Sequence, residues 1–295
     1  MLVPPALTQG DLIDIVAPSS PFDRTLAFRG MGWLRERYRI RFDPGIFDSA
    51  GYLAGDDDRR RLELNRALHA PDSKAVLAMR GGFGLHRIAP RVDWHSLRQQ
   101  PKWLVGFSDA TVFHVEATST GVVSLHATMA ASLGRCDEQT RSRWIDAIEH
   151  PTRRREWQNL NVLRAGSANG TTFGGNLSVI HACAAAGRLR ISANTILFVE
   201  DVNERPYRVD RMLTTLLVGG FFNNVVGVVL GEFVDCVAGV DGFSVEDVVC
   251  DVLRETRLPI VSGFPMGHQQ RNDPIPIGLH AQVVASDGKA EVIVG

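Results

Sequence analysis

The sequence predicts a two-domain α/β protein: an N-terminal parallel-sheet domain of Rossmann/flavodoxin-like kind and a C-terminal mixed α/β domain with antiparallel strands. Two observations predict it. In the first half, short apolar runs alternate with stretches of helical periodicity, the pattern of β-α units that feed a parallel sheet. At the far end, Gln282–Ala285 and Ala290–Val294 flank Ser286-Asp287-Gly288-Lys289, and Asp-Gly between two β-rich runs is a strong hairpin signal.

The elements follow in order. Leu12–Ala17 is expected to be a buried strand, broken by Pro18-Ser19-Ser20-Pro21. A helix is expected from about Asp23 to Tyr38, with Leu26, Trp33 and Leu34 as its apolar positions. Asp56, Asp57 and Asp58 precede a second helix, Arg59–His69, with Leu62, Leu64 and Leu68 at roughly helical spacing; acid at a helix start suits the dipole. Ala75–Met79 is the next strand. It runs into Arg80-Gly81-Gly82-Phe83-Gly84, a glycine cluster at the carboxyl end of a strand, where open α/β sheets hold their ligands. Trp103–Phe107 is a further strand and Asp109–Thr118 a helix. The charge-rich Arg135–Trp157, with Arg153-Arg154-Arg155, is expected to be a surface helix running into a linker, giving domains at 1–150 and 171–295 joined by 151–170. The second domain opens at Gly174-Gly175-Asn176-Leu177-Ser178, with strands at Thr195–Val199, Val225–Leu230 and Pro259–Phe264 and an apolar-patterned helix at Val209–Val218.

Composition excludes several functions. The 295 residues are 44% apolar, as packed cores require, and 32 basic against 33 acidic side chains leave a net charge of −1. No general field attracts nucleic acid or anionic lipid. Cys136, Cys183, Cys236 and Cys250 are far apart and form no C-x-x-C pair, so neither a zinc site nor a disulfide framework is suggested, and reduced thiols fit best. The start of the chain lacks the basic-then-apolar pattern of a signal peptide, and no stretch approaches the roughly 20 apolar residues that span a bilayer. A cytoplasmic protein without a membrane or nucleic-acid partner is the expectation. Lys74, Lys102 and Lys289 are the only lysines, and none has a nucleophile beside it, which argues against Schiff-base or Ser-Lys chemistry.

Ser108, in Gly106-Phe107-Ser108-Asp109-Ala110, stands where an apolar strand meets a helix. The sequence is similar to the nucleophile elbow G-x-S-x-G with Ala110 for the last glycine, and amides at the start of a helix suit an oxyanion. A serine there also commonly serves only as a helix cap. As a nucleophile it needs a base, and the base needs a carboxylate to fix its tautomer. Of nine histidines, His69, His95, His114 and His150 sit in helical or surface-like settings, and His126 and His181 are intermediate. His268 follows a strand-like run on a loop, where catalytic side chains are normally carried. Glu200-Asp201 directly follows the Thr195–Val199 run, with helix capping as the plainer alternative. Gly81 and Gly82 are candidates for a second oxyanion donor beside the Asp109 N–H, since only glycine lets backbone approach a substrate so closely. A phosphate-cradling loop is the rival, although neither G-x-G-x-x-G nor a Walker sequence occurs.

Several motifs in order resemble the LD-carboxypeptidase family of serine peptidases, which includes the microcin-immunity carboxypeptidases. They are Gly10-Asp11, Ala17-Pro18-Ser19-Ser20, Leu53-Ala54-Gly55, Arg80–Gly84, Val105–Asp109, Gly174–Ser178, Glu200-Asp201, Tyr207–Arg211, Gly267-His268, Asn272 and Ile275–Gly278. The resemblance spans nearly the whole chain. It implies Ser108 as nucleophile, His268 as base and Glu200 as orienting acid, with Gly82 and Asp109 as backbone donors to the oxyanion. It also implies a triad split across a cleft between two domains, a homodimer, and no metal or cofactor. The implied reaction removes a terminal D-amino acid from a muropeptide, releasing D-alanine from the cytoplasmic tetrapeptide during peptidoglycan recycling. Gly81, Phe83, Arg80 and Arg271 are the expected substrate-binding residues, the arginines as forks for the free carboxylate. His126-Ala127-Thr128-Met129 and the alanine-rich Ala182–Arg188 depart from the family pattern. A peptidyl-nucleotide substrate, and a non-catalytic ligand-binding module in which Ser108 only caps a helix, are the alternatives; a glutaminase-type hydrolase would want cysteine at the elbow.

Overall fold

A computed structural model of the chain describes residues 1–240, 242–286 and 288–295. Two compact units result, Met1–Pro151 with Asp273–Pro276, and Thr152–Asn272 with Ile277–Gly295.

In the first unit, β1 (Leu12–Val16), β2 (Arg39–Arg41), β3 (Ser73–Ala78), β4 (Trp103–Gly106) and β5 (Ser124–His126) lie in the order 2-1-3-4-5, every pairing parallel. A late strand, Ile275–Ile277, completes the sheet beside β5. Ile13, Ile15, Val76, Leu77, Leu104, Val105 and Leu125 are buried, as expected of parallel strands covered on both faces. This order reverses between β1 and β3, the switch point at which open α/β sheets leave a crevice beyond their carboxyl ends. The two segments that leave that crevice are Ala17–Ser20 and Arg80–Gly84.

The helices follow their caps. α1 (Arg24–Arg35) starts at Asp23, whose carboxylate accepts from Leu26 N, and buries Ala27, Gly30, Met31 and Leu34 at i, i+3, i+4 and i+7. It ends three residues before the expected Tyr38. α2 (Asp57–His69) is capped by Asp56 through Arg59 N and buries Leu64 and Leu68 as expected. Leu62, however, is 51% exposed, because it lies on the solvent face of the helix; Arg60 and Glu63 are buried instead. α3 (Leu85–Ile88) and α4 (Ser96–Gln99) are single turns. The helix expected from Asp109 divides into a 3-10 turn, Ser108–Ala110, and α5 (Thr111–Thr120), closed by Gly121 in the left-handed conformation. α6 (Ala130–Leu133) and α7 (Glu138–Glu149) complete the unit.

In the second unit, β6 (Arg155–Arg164), β7 (Gly166–Asn176), β8 (Thr195–Val202), β9 (Val225–Val234) and β10 (Ile260–Ser262) precede β11, the Ile275–Ile277 strand already counted with the first sheet. β12 (His280–Ser286) and β13 (Lys289–Val294) pair antiparallel as the hairpin signal predicts; Asp287 of its turn lies outside the described residues. Seven strands close a barrel in the order β10-β6-β13-β12-β7-β8-β9, with parallel steps β7-β8-β9-β10 and the rest antiparallel. The mixed character was expected; closure was not. Nor was β6. Residues 155–164 belong to the barrel rather than to the linker expected over 151–170, because Trp157 and Leu160 are buried while Glu156, Gln158, Asn159 and Asn161 around them face out. Trp157, Phe198 and Phe264 pack ring against ring, with centroids 4.9 and 5.3 Å apart. α8 (Leu177–Ala185), α9 (Pro206–Val218) and α10 (Val245–Val252) lie outside the sheet order.

Candidate active site

The expected site residues fall into two groups, one on each unit. On the first unit, β4 ends at Gly106 and the chain turns at Ser108, whose φ of 61° lies in the left-handed region. A non-glycine residue there costs roughly 1–2 kcal/mol and persists where its surroundings impose it, as at functional sites. The Ser108 hydroxyl caps nothing: Phe107 and Ala110 hold the cap positions of the 3-10 turn and α5, and neither start has a side-chain cap. The expected alternative of a helix-capping serine is therefore not what this turn uses. The first amides of the turn, Ser108 and Asp109, have no partner within it, as at any helical start.

The glycine cluster leaves β3 toward the same turn. A methyl group on Gly81 would lie 2.9 Å from Ser108 Cβ, 3.0 Å from its Oγ and 3.3 Å from Asp109 N, so this backbone packs directly on the serine. Gly82 has φ +99°, and a Cβ there would collide with Ser20 Oγ. Ser20 holds the loop through its own groups, donating from N to Gly81 O at 3.2 Å and accepting from Phe83 N at 3.1 Å. The Phe83 ring is exposed and faces Tyr52, centroids 6.1 Å apart. Arg80 Nη1 donates to Pro21 O, which steadies its guanidinium beside the loop.

Two buried side chains brace this arrangement: the carboxylate of Asp109, of which the sequence had singled out only the N–H, and Arg60, which it had not singled out. The Asp109 carboxylate accepts from Leu85 N at 2.9 Å, and burial pushes it above the ordinary carboxylate range against the pull of Ser19, Leu85, Arg60 and His86. Arg60 is fully buried and donates to Pro18 O, to Gly84 O at 2.8 Å and to Asp57. Neighbouring Arg59 and Glu63 hold the segment after β1: Arg59 donates to Ala17 O at 3.1 Å, and Glu63 accepts from Ala17 N at 2.8 Å. A run of three arginines, Arg59–Arg61, reads as a solvated face in sequence. Behind the strand, His114 binds Gly106 O at 3.1 Å and Ser124 Oγ at 2.9 Å, and burial lowers its pKa to about 4. It is a satisfied, neutral core histidine.

On the second unit, Glu200 and Asp201 lie inside β8, which runs on to Val202, and not beyond a strand ending at Val199. The pairing with β9 shifts register between Val199 and Asp201. Adjacent residues on a regular strand face opposite sides, and a bulge re-aims them; here both carboxylates are buried. His268 Nδ1 donates to Glu200 Oε2 at 2.7 Å. A carboxylate only accepts, so this bond assigns the Nδ1 proton and leaves Nε2 as the basic nitrogen. Burial pulls the imidazole pKa down, but the hydrogen bond and charge of Glu200, with Asp201 behind it, prevail and hold it above the ordinary value. Asp201 accepts from Asn176 Nδ2, Ser178 N and Val202 N, each at 2.9 Å; burial and Glu200 push it up to about 6.

The loop that carries His268 is shaped for this contact. Gly267 has φ +138°, and a Cβ there would sit 3.2 Å from Glu200 Oε2. Gly267 N donates to Asn272 Oδ1 at 3.0 Å, which closes the loop around His268, and Arg271 is exposed on the same loop. Among the described residues, no three His, Cys, Asp or Glu side chains gather as a metal site would require, and no helix is long and apolar enough to cross a membrane.

Residues 13–127 match the LD-carboxypeptidase N-terminal domain family and residues 169–283 the LD-carboxypeptidase C-terminal domain family. A probable murein peptide carboxypeptidase of Bacillus subtilis is 31% identical over 301 residues, covering 99% of this chain and 94% of that protein. The crystal structure of muramoyltetrapeptide carboxypeptidase from Oxalobacter formigenes superposes with a TM-score of 0.86 at 28% identity, over 96% of this chain and 98% of that one. The microcin C7 self-immunity protein MccF of Escherichia coli shares the fold at 21% identity, with a TM-score of 0.89 over 100% and 99% of the two chains.

Proposed function

This chain belongs to the LD-carboxypeptidase family, and on that footing we propose that it is a serine carboxypeptidase that removes the terminal D-amino acid of a muropeptide. The observation that carries the chemistry is Ser108 at φ 61°, with a hydroxyl that caps nothing and a glycine backbone packed on it. Strain of that kind is retained where a side chain must stand clear of its own helix. The His268–Glu200 pair supports the rest, since it has the tautomer and raised basicity of a general base.

In this mechanism His268 Nε2 takes the Ser108 proton as Oγ attacks the scissile carbonyl. The oxyanion is held by the Gly82 and Asp109 amides. Collapse expels the D-amino acid, whose nitrogen receives the proton from His268, and leaves an acyl-serine. A water, deprotonated by the same histidine, hydrolyses that ester and restores the hydroxyl. Arg80 and Arg271 serve as partners for the substrate's free carboxylate, with Gly81 and Phe83 lining its approach. The enzyme works in the cytoplasm and as a homodimer; Cys136, Cys183, Cys236 and Cys250, none of which forms a disulfide among the described residues, suit a reducing compartment.

Release of D-alanine from murein tetrapeptide tests the proposal. Ser108→Ala is expected to lower kcat by roughly 10⁴-fold or more with an unchanged thermal midpoint; near-normal turnover would refute the nucleophile. A peptidyl-nucleotide offered beside the tetrapeptide is expected to give the lower kcat/KM, and the reverse ranking would overturn the substrate assignment.

A further inference from the structure

We propose that the Asp109 side chain is a positioning group: its carboxylate ties the nucleophile turn to the glycine loop and so fixes the spacing of the two oxyanion donors. The inference rests on the reading of Ser108 as nucleophile and of the Gly82 and Asp109 amides as those donors.

An oxyanion hole works only if both N–H groups stand within about 2.7–3.1 Å of one developing charge. Here the two amides come from different β-α connections, Gly82 after β3 and Asp109 after β4, so something other than chain continuity must set their separation. The Asp109 carboxylate supplies that link. It accepts from Leu85 N at 2.9 Å, across 24 positions of sequence, and Leu85 directly follows Gly84. The glycine loop is thus held at its far end by the residue that also contributes one donor. Its near end is held by Ser20, through Gly81 O and Phe83 N, and Arg60 clamps Gly84 O to Pro18 O from beneath. Were the bond to Leu85 only a helix cap for α3, a short polar side chain next to it would suffice; α3 has none, its cap position being Gly84. A buried carboxylate is a costly choice for capping a single turn, and only 3% of Asp109 is exposed.

The test compares Asp109→Ala and Asp109→Asn with Ser108→Ala, reading tetrapeptide kcat and KM, the rate at which a fluorophosphonate labels Ser108, and the thermal midpoint. The phosphonylated serine carries its oxygen where the oxyanion would lie, so labelling reports on the donors rather than on stability. Asp109→Ala is expected to lower kcat about 10²-fold with KM within about threefold, and to slow labelling in parallel. Asp109→Asn keeps an acceptor for Leu85 N–H and is expected to recover at least about tenfold of that loss. Where the alanine variant does not fold, Asp109→Ser, too short to reach Leu85, takes its place. Normal turnover and labelling by folded Asp109→Ala or Asp109→Ser, or an asparagine variant no better than alanine, overturns the brace while leaving the nucleophile standing. Turnover and labelling that survive in Ser108→Ala overturn the nucleophile, and the brace with it.

Discussion

Gly81→Ala tests the geometry of the nucleophile turn with one methyl group. Gly81 is buried and its φ lies outside the left-handed region, so alanine suits its backbone. The methyl would meet Ser108 Cβ at 2.9 Å and Oγ at 3.0 Å, where carbon contacts settle near 3.5–4.0 Å. One side must yield by roughly 0.5–1 Å. Misplacing a reacting group by about 1 Å costs on the order of 10²-fold, and crowding the Asp109 amide, 3.3 Å from the same methyl, removes part of a donor worth about 10²–10³-fold. We expect kcat for D-alanine release to fall by roughly 10²–10³-fold while overpacking destabilises the fold by only ~1–3 kcal/mol. Steady-state kinetics and urea denaturation on the same preparation separate the two effects. A folded Gly81→Ala enzyme with kcat within about threefold of wild type would refute the claim that this backbone registers the nucleophile.

Two further predictions concern protons. His268 must be neutral to act as base, and Glu200 holds its pKa above the ordinary value, so the acidic limb of the kcat/KM profile is expected above about pH 6.5 and to move lower in Glu200→Gln; a limb at or below 6.5 in the wild type would contradict the pairing. The same raised pKa means that the ion pair stabilises the fold below that range and that its contribution fades as pH rises through the folded value. His114 has the opposite sign. Buried neutral with a pKa of about 4, it stabilises the fold above the ordinary histidine value, and this contribution declines as pH falls from about 6.5 to 4, by ~3 kcal/mol in all. Urea midpoints at pH 7 and 4.5 should therefore drop less in His114→Gln than in the wild type, and equal drops would exclude His114 as the cause.

What was legible in sequence was what local pattern determines. β1, β3 and β4 are largely apolar runs because both faces of their sheet are covered, and the hairpin at the end announces itself by its turn. β6 was hidden because its buried Trp157 and Leu160 are diluted by polar, outward-facing residues, and closing a barrel depends on pairings between segments far apart. Glu200 looked like a residue beyond a strand since two acids in succession contradict strand periodicity; the bulge that reconciles them is a property of the paired ladder. Ser108 and His268 were singled out by type and context, whereas the left-handed turn at Ser108 and the burial of Arg60 and Asp109 arise from tertiary packing that no spacing encodes.

The late return of Ile275–Ile277 to the first sheet bears on how the protein is made. Ribosomes release the chain from its N-terminus, so β1 to β5 can assemble early, but β5 keeps an unpaired edge until residues beyond β6–β10, five of the seven barrel strands, have emerged. At about 5–20 residues per second, that interval lasts on the order of 10 s. During it, a nascent chain already holding Ser108 carries an open sheet edge of the kind that invites mispairing. A fragment ending at Pro151 would keep that edge for good, because Asp273–Pro276, which belongs to the same unit, lies in the part removed.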